Sequence, residues 1–288
     1  MTSRGQRLLG LLRRLRLLAV VVLCCLCVSD TGAQRRWRRR VEPMERSIFP
    51  SNSFTFCRVQ YSSDGGRRRG GWATDYPASA ENFSLRLSQF TTLNVARTDD
   101  GRFRHVVVRL DEPHLFKYPF IYALEIGSMA LTPPEQDGLR AYLLRGGFLL
   151  VDDFWGDDAW DNLEFELAQV LPREDYPFID LPLDHELFHI VFDLAEVPQV
   201  PSVHHYREWV VTGQSFEGGS FRYERYGQAA RCRVIFDKKG RLMVVAMHNS
   251  DLGDGWEREG ENYGYFRDFS AKKAYPMGIN IVVYAMTH

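Results

Sequence analysis

YPFIYALEIGSMALTPPEQDGLRAYLLRGGFLLVDDFWG (118–156) is the stretch that decides the fold. Its first ten residues are strand-like. Thr132-Pro133-Pro134-Glu135 then has the form of a capping box with Pro at the first helical position. Leu139, Tyr142 and Leu143 supply an apolar stripe, and Gly146-Gly147 ends the helix where a left-handed residue is needed. FLLV (148–151) is a continuous apolar run, as in a strand covered on both faces. Beyond it, Asp157 or Asp158 is placed to cap a second helix that carries Trp160, Leu163, Leu167 and Val170 and closes at Pro172. Strand, helix, strand, helix with unbroken apolar strands predicts an α/β fold whose mostly parallel sheet is covered on both sides.

Upstream, FTFCRVQY (54–61) reads as a buried strand that runs into a Gly-rich loop. A helix follows, with Pro77 in its first turn and Phe83, Leu87 and Phe90 on one face, and VVVRL (106–110) is a short strand. Downstream, residues 172–230 are rich in Pro, Tyr and charge and hold only short strand-like pieces. CRVIF (232–236), DKKG (237–240) and RLMVVAM (241–247) form a hairpin pattern. INIVVYAM (279–286) fits a strand or a buried helix.

The 288 residues carry 36 Lys and Arg against 37 Asp and Glu, a formal charge of -1. The balance is uneven along the chain. Eleven of the basic residues but three of the acids precede Phe54, leaving 25 basic and 34 acidic residues in the body. An acidic body argues against nucleic acid as a partner. Residues 1–33 read as a secretory signal: Arg4, Arg7, Arg13, Arg14 and Arg16, then an apolar run from Leu17 to Val28, then Thr31-Gly32-Ala33 as a cleavage site. This predicts export to the periplasm or the exterior. The Arg cluster 35–40 resists translocation, so an uncleaved membrane anchor is the competing expectation. Residues 34–53 read as an Arg-rich linker, with weak contact between Arg35–Arg40 and an anionic membrane surface as its alternative role. Cys24, Cys25 and Cys27 would leave with the signal. Cys57 and Cys232 remain, able to pair or to stay free, with no activating motif around either.

RVQY (58–61), GGWATDYP (70–77), DEPHLFKYPFIY (111–122), LRAYLLRGGFLLVDDFWG (139–156), HELFH (185–189), VPQVP (197–201) and YPMGINIVVYAM (275–286) occur in this order across almost all of 54–288. In these segments the chain resembles the bacterial domain-of-unknown-function family 4159. The resemblance implies one domain over 54–288. It implies a flavodoxin-like three-layer α/β/α fold related to class I glutamine amidotransferase-like and trehalose-utilisation-like domains, and it favours a helix at the C-terminus. It assigns no activity. Class I amidotransferases place a nucleophilic Cys on the turn after a buried strand. Here that turn reads Asp152-Asp153-Phe154-Trp155-Gly156, with neither Cys nor G-x-S-x-G, so acyl transfer by that route is not expected.

Ligands of open parallel sheets bind beyond the carboxyl ends of the strands. Three loops fall there: 62–77 with Trp72 and Asp75, 125–129 with Glu125 and Ser128, and 152–157 with Asp152, Asp153 and Trp155. Asp152 and Asp153 are placed either to hold a divalent cation through oxygen ligands or act as a general base, or to serve as helix cap and solvent contact. Gly65-Gly66 beside Arg67–Arg69 is an anion cradle or a solvated loop. His185-Glu186-Leu187-Phe188-His189 matches H-E-x-x-H, but Pro177 and Pro182 precede it, no long helix surrounds it, and no third ligand is identifiable. In the family Glu186 is often replaced by Pro, which fits a loop. A polar or packing role for His185 and His189 is therefore expected. His248, Asn249 and Asp251, with Asp254, Trp256 and Glu257, follow RLMVVAM and make either a polar ligand site, Trp256 suiting a sugar ring, or a Gly-rich turn. No metal ligand set and no cofactor are expected. The leading expectation is a module that binds a small molecule or a protein partner at these loops. The alternative is a hydrolase, with or without a metal ion, using Asp152 and Asp153 with His185, His189 or His248.

Overall fold

The computed structural model describes residues 53–63, 71–212 and 229–288. The signal-like segment 1–33, the Arg cluster 35–40 and the loop Asp64–Arg69 lie outside the described residues. Seven strands form one sheet: β2 (Phe56–Gln60), β4 (His105–Arg109), β5 (Phe120–Leu124), β6 (Phe148–Phe154), β7 (Ile179–Asp180), β8 (Arg231–Phe236) and β9 (Leu242–His248). Their spatial order is β4-β2-β5-β6-β9-β8-β7. β4, β2, β5, β6 and β9 are mutually parallel, and β8 and β7 extend one edge in antiparallel fashion. A separate parallel pair joins β1 (Ser53–Phe54) to β3 (Asn94–Val95).

The helices are α1 (Ala78–Phe90), α2 (Pro133–Leu144), α3 (Gly156–Val170), α4 (Val203–Thr212), α5 (Leu252–Glu257) and α6 (Tyr275–Thr287), the last entered through a turn at Tyr263–Tyr265 and a wide π-type turn over Phe266–Ala274. Strand alternation divides the core in two. Phe148 and Leu150 of β6 face a cluster with Phe83 and Leu87 of α1, Trp256 of α5 and Ile279 and Ile281 of α6. Leu149 and Val151 face the other cluster, with Leu139 and Leu143 of α2 and Leu163 and Leu167 of α3. All seven residues of β6 and all seven of β9 are buried, so the two central strands alone place some ten apolar side chains at about 1.5–3 kcal/mol each.

The capping box forms as expected: Thr132 Oγ1 donates to Glu135 Oε2 at 2.8 Å and the Thr132 N–H donates to the same oxygen at 2.9 Å. Gly146 takes φ +107 at the helix end. The hairpin β8–β9 forms over DKKG, with Gly240 at φ +81. INIVVYAM is helical. Three expectations shift. β6 extends to Phe154, so Asp152 and Asp153 lie in the strand end rather than on the turn after it. Trp155 occupies the cap position of α3 and Asp157 and Asp158 fall in its first turn, so neither is the cap. Pro77 stands just ahead of α1, and Phe90, at the last turn, is 53 % exposed, its ring meeting Phe192 edge-on. Cys57 and Cys232 are both free and buried, and burial pushes both thiols up, so neither is a ready nucleophile.

Candidate functional site

β2 and β5 are neighbours in space, yet the chain leaves β2 outward to β4 before returning to β5. That reversal opens a crevice beyond their carboxyl ends. Four described non-glycine residues have positive φ: Asp75 (62°) in the loop after β2, Glu125 (54°) after β5, Asp153 (49°) at the end of β6 and Asn249 (59°) after β9. All four sit at strand carboxyl ends. Asp and Asn tolerate the left-handed region, and Glu125 holds it at a cost of about 1 kcal/mol or more.

Arg58 of β2 and Tyr122 of β5 are register partners on the two adjacent strands that end at the crevice. Arg58 is fully buried. Its Nη1 donates to Trp72 O (3.3 Å) and Thr74 O (3.0 Å), and Nη2 donates to Ser79 Oγ (3.0 Å). Its guanidinium lies 4.6 Å from the centre of the Tyr122 ring. Burial pulls its pKa down, while Tyr122, Asp75, Asp152 and Asp153 hold it up. Arg58 thus pins the returning loop, and Asp75 with it, to the sheet.

Asp152 is fully buried and fully used. Its Oδ2 accepts from Tyr122 Oη (2.7 Å) and Gly253 N (2.9 Å), and Oδ1 accepts from Leu252 N (3.1 Å). Desolvation pushes its pKa up to about 6 against the pull of those hydrogen bonds. Asp152 therefore anchors the start of α5 instead of facing a ligand. A Cβ on Gly253 would come within 2.7 Å of both Asp75 Oδ2 and Tyr122 Oη, so only glycine lets α5 approach this closely.

The carboxylates left over converge. Oxygens of Asp75, Asp153 and Asp251 all lie within 4.8 Å of one another, and so do those of Asp75, Asp254 and Glu257. Two ligands on one calcium-like ion are separated by at most about 5 Å, twice the ion–oxygen distance. Asp251 also caps α5, its Oδ1 accepting from Asp254 N at 2.7 Å. Asp254 accepts from Val203 N at 2.5 Å and from Arg258 Nε at 3.0 Å, and Glu257 faces Arg258 at 2.7 Å. Asp75 differs. Its Oδ2 is fully enclosed and receives no hydrogen bond from a backbone N–H or a basic side chain; its polar neighbour is the Glu257 carboxyl, whose Oε2 is enclosed as well. Desolvation first, then the charges of Asp254 and Glu257, push its pKa well up. Glu257 is also raised, mainly by burial. The sequence predicts no metal ligand set; the fold assembles two all-oxygen triads around one carboxylate.

The remaining candidates divide. Trp72 is half-buried beside Asp75, and Trp155 Nε1 donates to Asp153 Oδ1 at 3.3 Å. Trp155 thus borders the site, whereas Trp72 packs against the apolar cluster on the α2 and α3 side. Asn249 is buried and holds the backbone: its Oδ1 accepts from Gly156 N (2.9 Å) and Nδ2 donates to Ala229 O (3.2 Å). His248 lies on the α3 side, stacked on Phe154 and beside Trp160, with Nε2 3.0 Å from Gly156 O. Burial pulls its pKa down to about 4, so it is neutral. Trp256 is wholly buried against Phe83, Phe56 and Tyr122 and donates to Ala274 O, so it is core and not a sugar platform. α5 turns the ring inward.

HELFH is a short 3₁₀ turn, Glu186–Phe188. His185 Nδ1 accepts from Leu187 N and its ring meets Phe236 and Tyr284, at the end of the sheet where β9 begins. His189 pairs with Asp193 Oδ1 (2.5 Å) and Leu183 O (2.7 Å). Both histidines belong to packing and turn chemistry, far from the carboxylates. Arg58 and Tyr122 escaped the sequence reading. An Arg inside the apolar strand FTFCRVQY was the available signal, since a charge there must be paired.

Residues 55–286 match the sequence profile of a family described as a domain of unknown function, DUF4159. No curated protein matches the chain.

Proposed function

Since the chain belongs to the DUF4159 family, whose description assigns no activity, we propose from the site itself that it is a binding module for a hard divalent cation, or for a ligand that brings one, held at the strand-end carboxylates. The supporting observation is Asp75 Oδ2, enclosed without an N–H donor and against the Glu257 carboxyl, at the meeting point of two carboxylate triads. Two enclosed carboxyls in contact share a proton or take a cation. The donor set is all oxygen, which suits calcium, magnesium or manganese better than zinc. Asp75, Asp153 and Asp251 would hold the ion, with Arg58 and Asp152 keeping loop and helix in register. Trp155, whose Nε1 donates to Asp153, is the aromatic side chain that adjoins the carboxylates.

The hydrolase reading loses its imidazoles: His185 and His189 sit at the opposite end of the sheet, and His248 points to the other face. Kinship with glutamine amidotransferase-like domains is proposed as scaffold only, supported by the parallel core. Export is likewise a proposal from the N-terminal pattern; N-terminal sequencing of the expressed protein would find a start near residue 34 if it holds. Among the described residues no helix is long and apolar enough to cross a membrane.

Thermal unfolding of the full chain with Mn²⁺, Ca²⁺, Mg²⁺ or Zn²⁺ tests the cation reading. A rise in midpoint with an oxygen-preferring ion, absent in Asp75→Asn, supports it. No shift with any of the four overturns it.

A further inference from the structure

The amino ends of the strands carry a second feature, unconnected with the carboxylates. An open groove of about 470 Å³ lies where β2, β4 and β5 begin. That is within the range of small-molecule sites, about 300–1,000 Å³. Its lining includes Arg97, Arg104, Lys117, Tyr118, Thr55 and Asn94. No Asp or Glu is among the lining residues.

Most described Arg and Lys side chains have a carboxylate within 4.0 Å: Arg86 with Glu259, Arg109 with Asp111, Arg231 with Asp180 and Lys273 with Glu196 are examples. Among the described residues, Arg97, Arg104 and Lys117 make no such pair. Arg58, Arg145 and Lys239 also have no such pair among the described residues, but Arg97, Arg104 and Lys117 differ in lining one groove together. Arg97 is also held in position. Its Nη1 donates to Gly101 O at 2.7 Å and its guanidinium lies 3.9 Å from the Phe103 ring centre. Tyr118 is fixed by a 2.9 Å hydrogen bond to His114.

We propose that this groove is an anion site for a phosphate group, carried by a soluble small molecule or by a lipid headgroup. Arg97 and Arg104 offer forked donors that match phosphate oxygens, Lys117 adds a point charge, and Thr55 and Asn94 bring neutral donor-capable groups to the same lining. Three cations exceed what a lone carboxylate would neutralise, which favours a doubly charged phosphate.

Calorimetric titration of the full chain with inorganic pyrophosphate at low ionic strength tests the site. Saturable binding is expected, weakened about tenfold in Arg104→Gln and again in Lys117→Gln, with unfolding midpoints unchanged because both side chains are exposed. Flotation with phosphatidylglycerol vesicles separates the sources: binding lost in the same variants points to a lipid phosphate, whereas pyrophosphate binding without flotation points to a soluble one. Absence of both, binding unaffected by the two substitutions, or malonate bound as tightly as pyrophosphate would overturn the proposal.

Discussion

The two ends of the sheet are built differently. The carboxyl ends of the strands hold buried charge: Arg58, Asp152 and Asp153 are at most 7 % exposed, and four residues there adopt left-handed backbone. The amino ends hold exposed charge in relaxed backbone, with Arg97, Arg104 and Lys117 at the surface. Charges that are buried and held by strained turns must be fixed by neighbours, so substitution there disturbs fold and ligand together. Exposed charges can be removed with little effect on folding.

The largest contrast is expected at arginine. Arg58→Met leaves Trp72 O and Thr74 O without their donor and strands the adjacent carboxylates, at a cost of about 3–5 kcal/mol. Arg104→Met should stay within about 0.5 kcal/mol. Urea unfolding of the two variants measures the difference; equal losses would break the comparison.

Glycines give the next effect. Gly253→Val forces a side chain between Asp75 and Tyr122 and should cost about 1–3 kcal/mol and abolish cation binding. Gly240→Ala, at φ +81 with open space around it, should cost about 1 kcal/mol and leave the site intact. Denaturation paired with a cation titration reads both.

The pH dependence is smaller and has two signs. Asp152, pushed up to about 6, contributes stability that is present below the ordinary carboxylate range and is lost as pH rises through about 6. Asp75 and Glu257 act in the same direction. His248, pulled down to about 4, contributes stability present above its ordinary value of 6.5 and lost as pH falls toward 4. The two slopes oppose each other between about pH 4 and 6.5. Asp152→Asn removes one of them, so the acid-side loss from His248 should become steeper. A cation at the carboxylates competes with protons, so its affinity should rise from pH 5 to pH 8.

The smallest effects belong to HELFH. His185→Ala removes a turn cap, at about 1 kcal/mol, and His189→Ala, which removes an exposed pair, should cost less still. Neither should alter cation binding; a shift in affinity from either would reconnect that segment to the site.

Local signals carried much of the architecture. TPPE and GG mark the ends of α2, FLLV is a buried strand, and DKKG joins β8 to β9, because each depends on neighbours in sequence. Asp75, Asp153 and Asp251 were also legible as strand-end carboxylates. What brings them together was not. Arg58 and Asp75 meet through a loop whose return path is set by Arg58 itself, and Tyr122 selects Asp152 as anchor through a register fixed by the sheet. Trp256 and Asn249 read as ligand groups because their types suit ligands; α5 buries one and the turn after β9 consumes the other.

The central claim is that Asp75, Asp153 and Asp251 hold a divalent cation, and calorimetric titration of Mn²⁺ and Ca²⁺ at pH 8 into the metal-stripped full chain, its Asp153→Asn variant and its His189→Ala variant tests it most directly. The account predicts one ion bound per chain in the unmodified protein and in His189→Ala, and none in Asp153→Asn. No binding in the unmodified protein, or binding that survives Asp153→Asn unchanged, would contradict it.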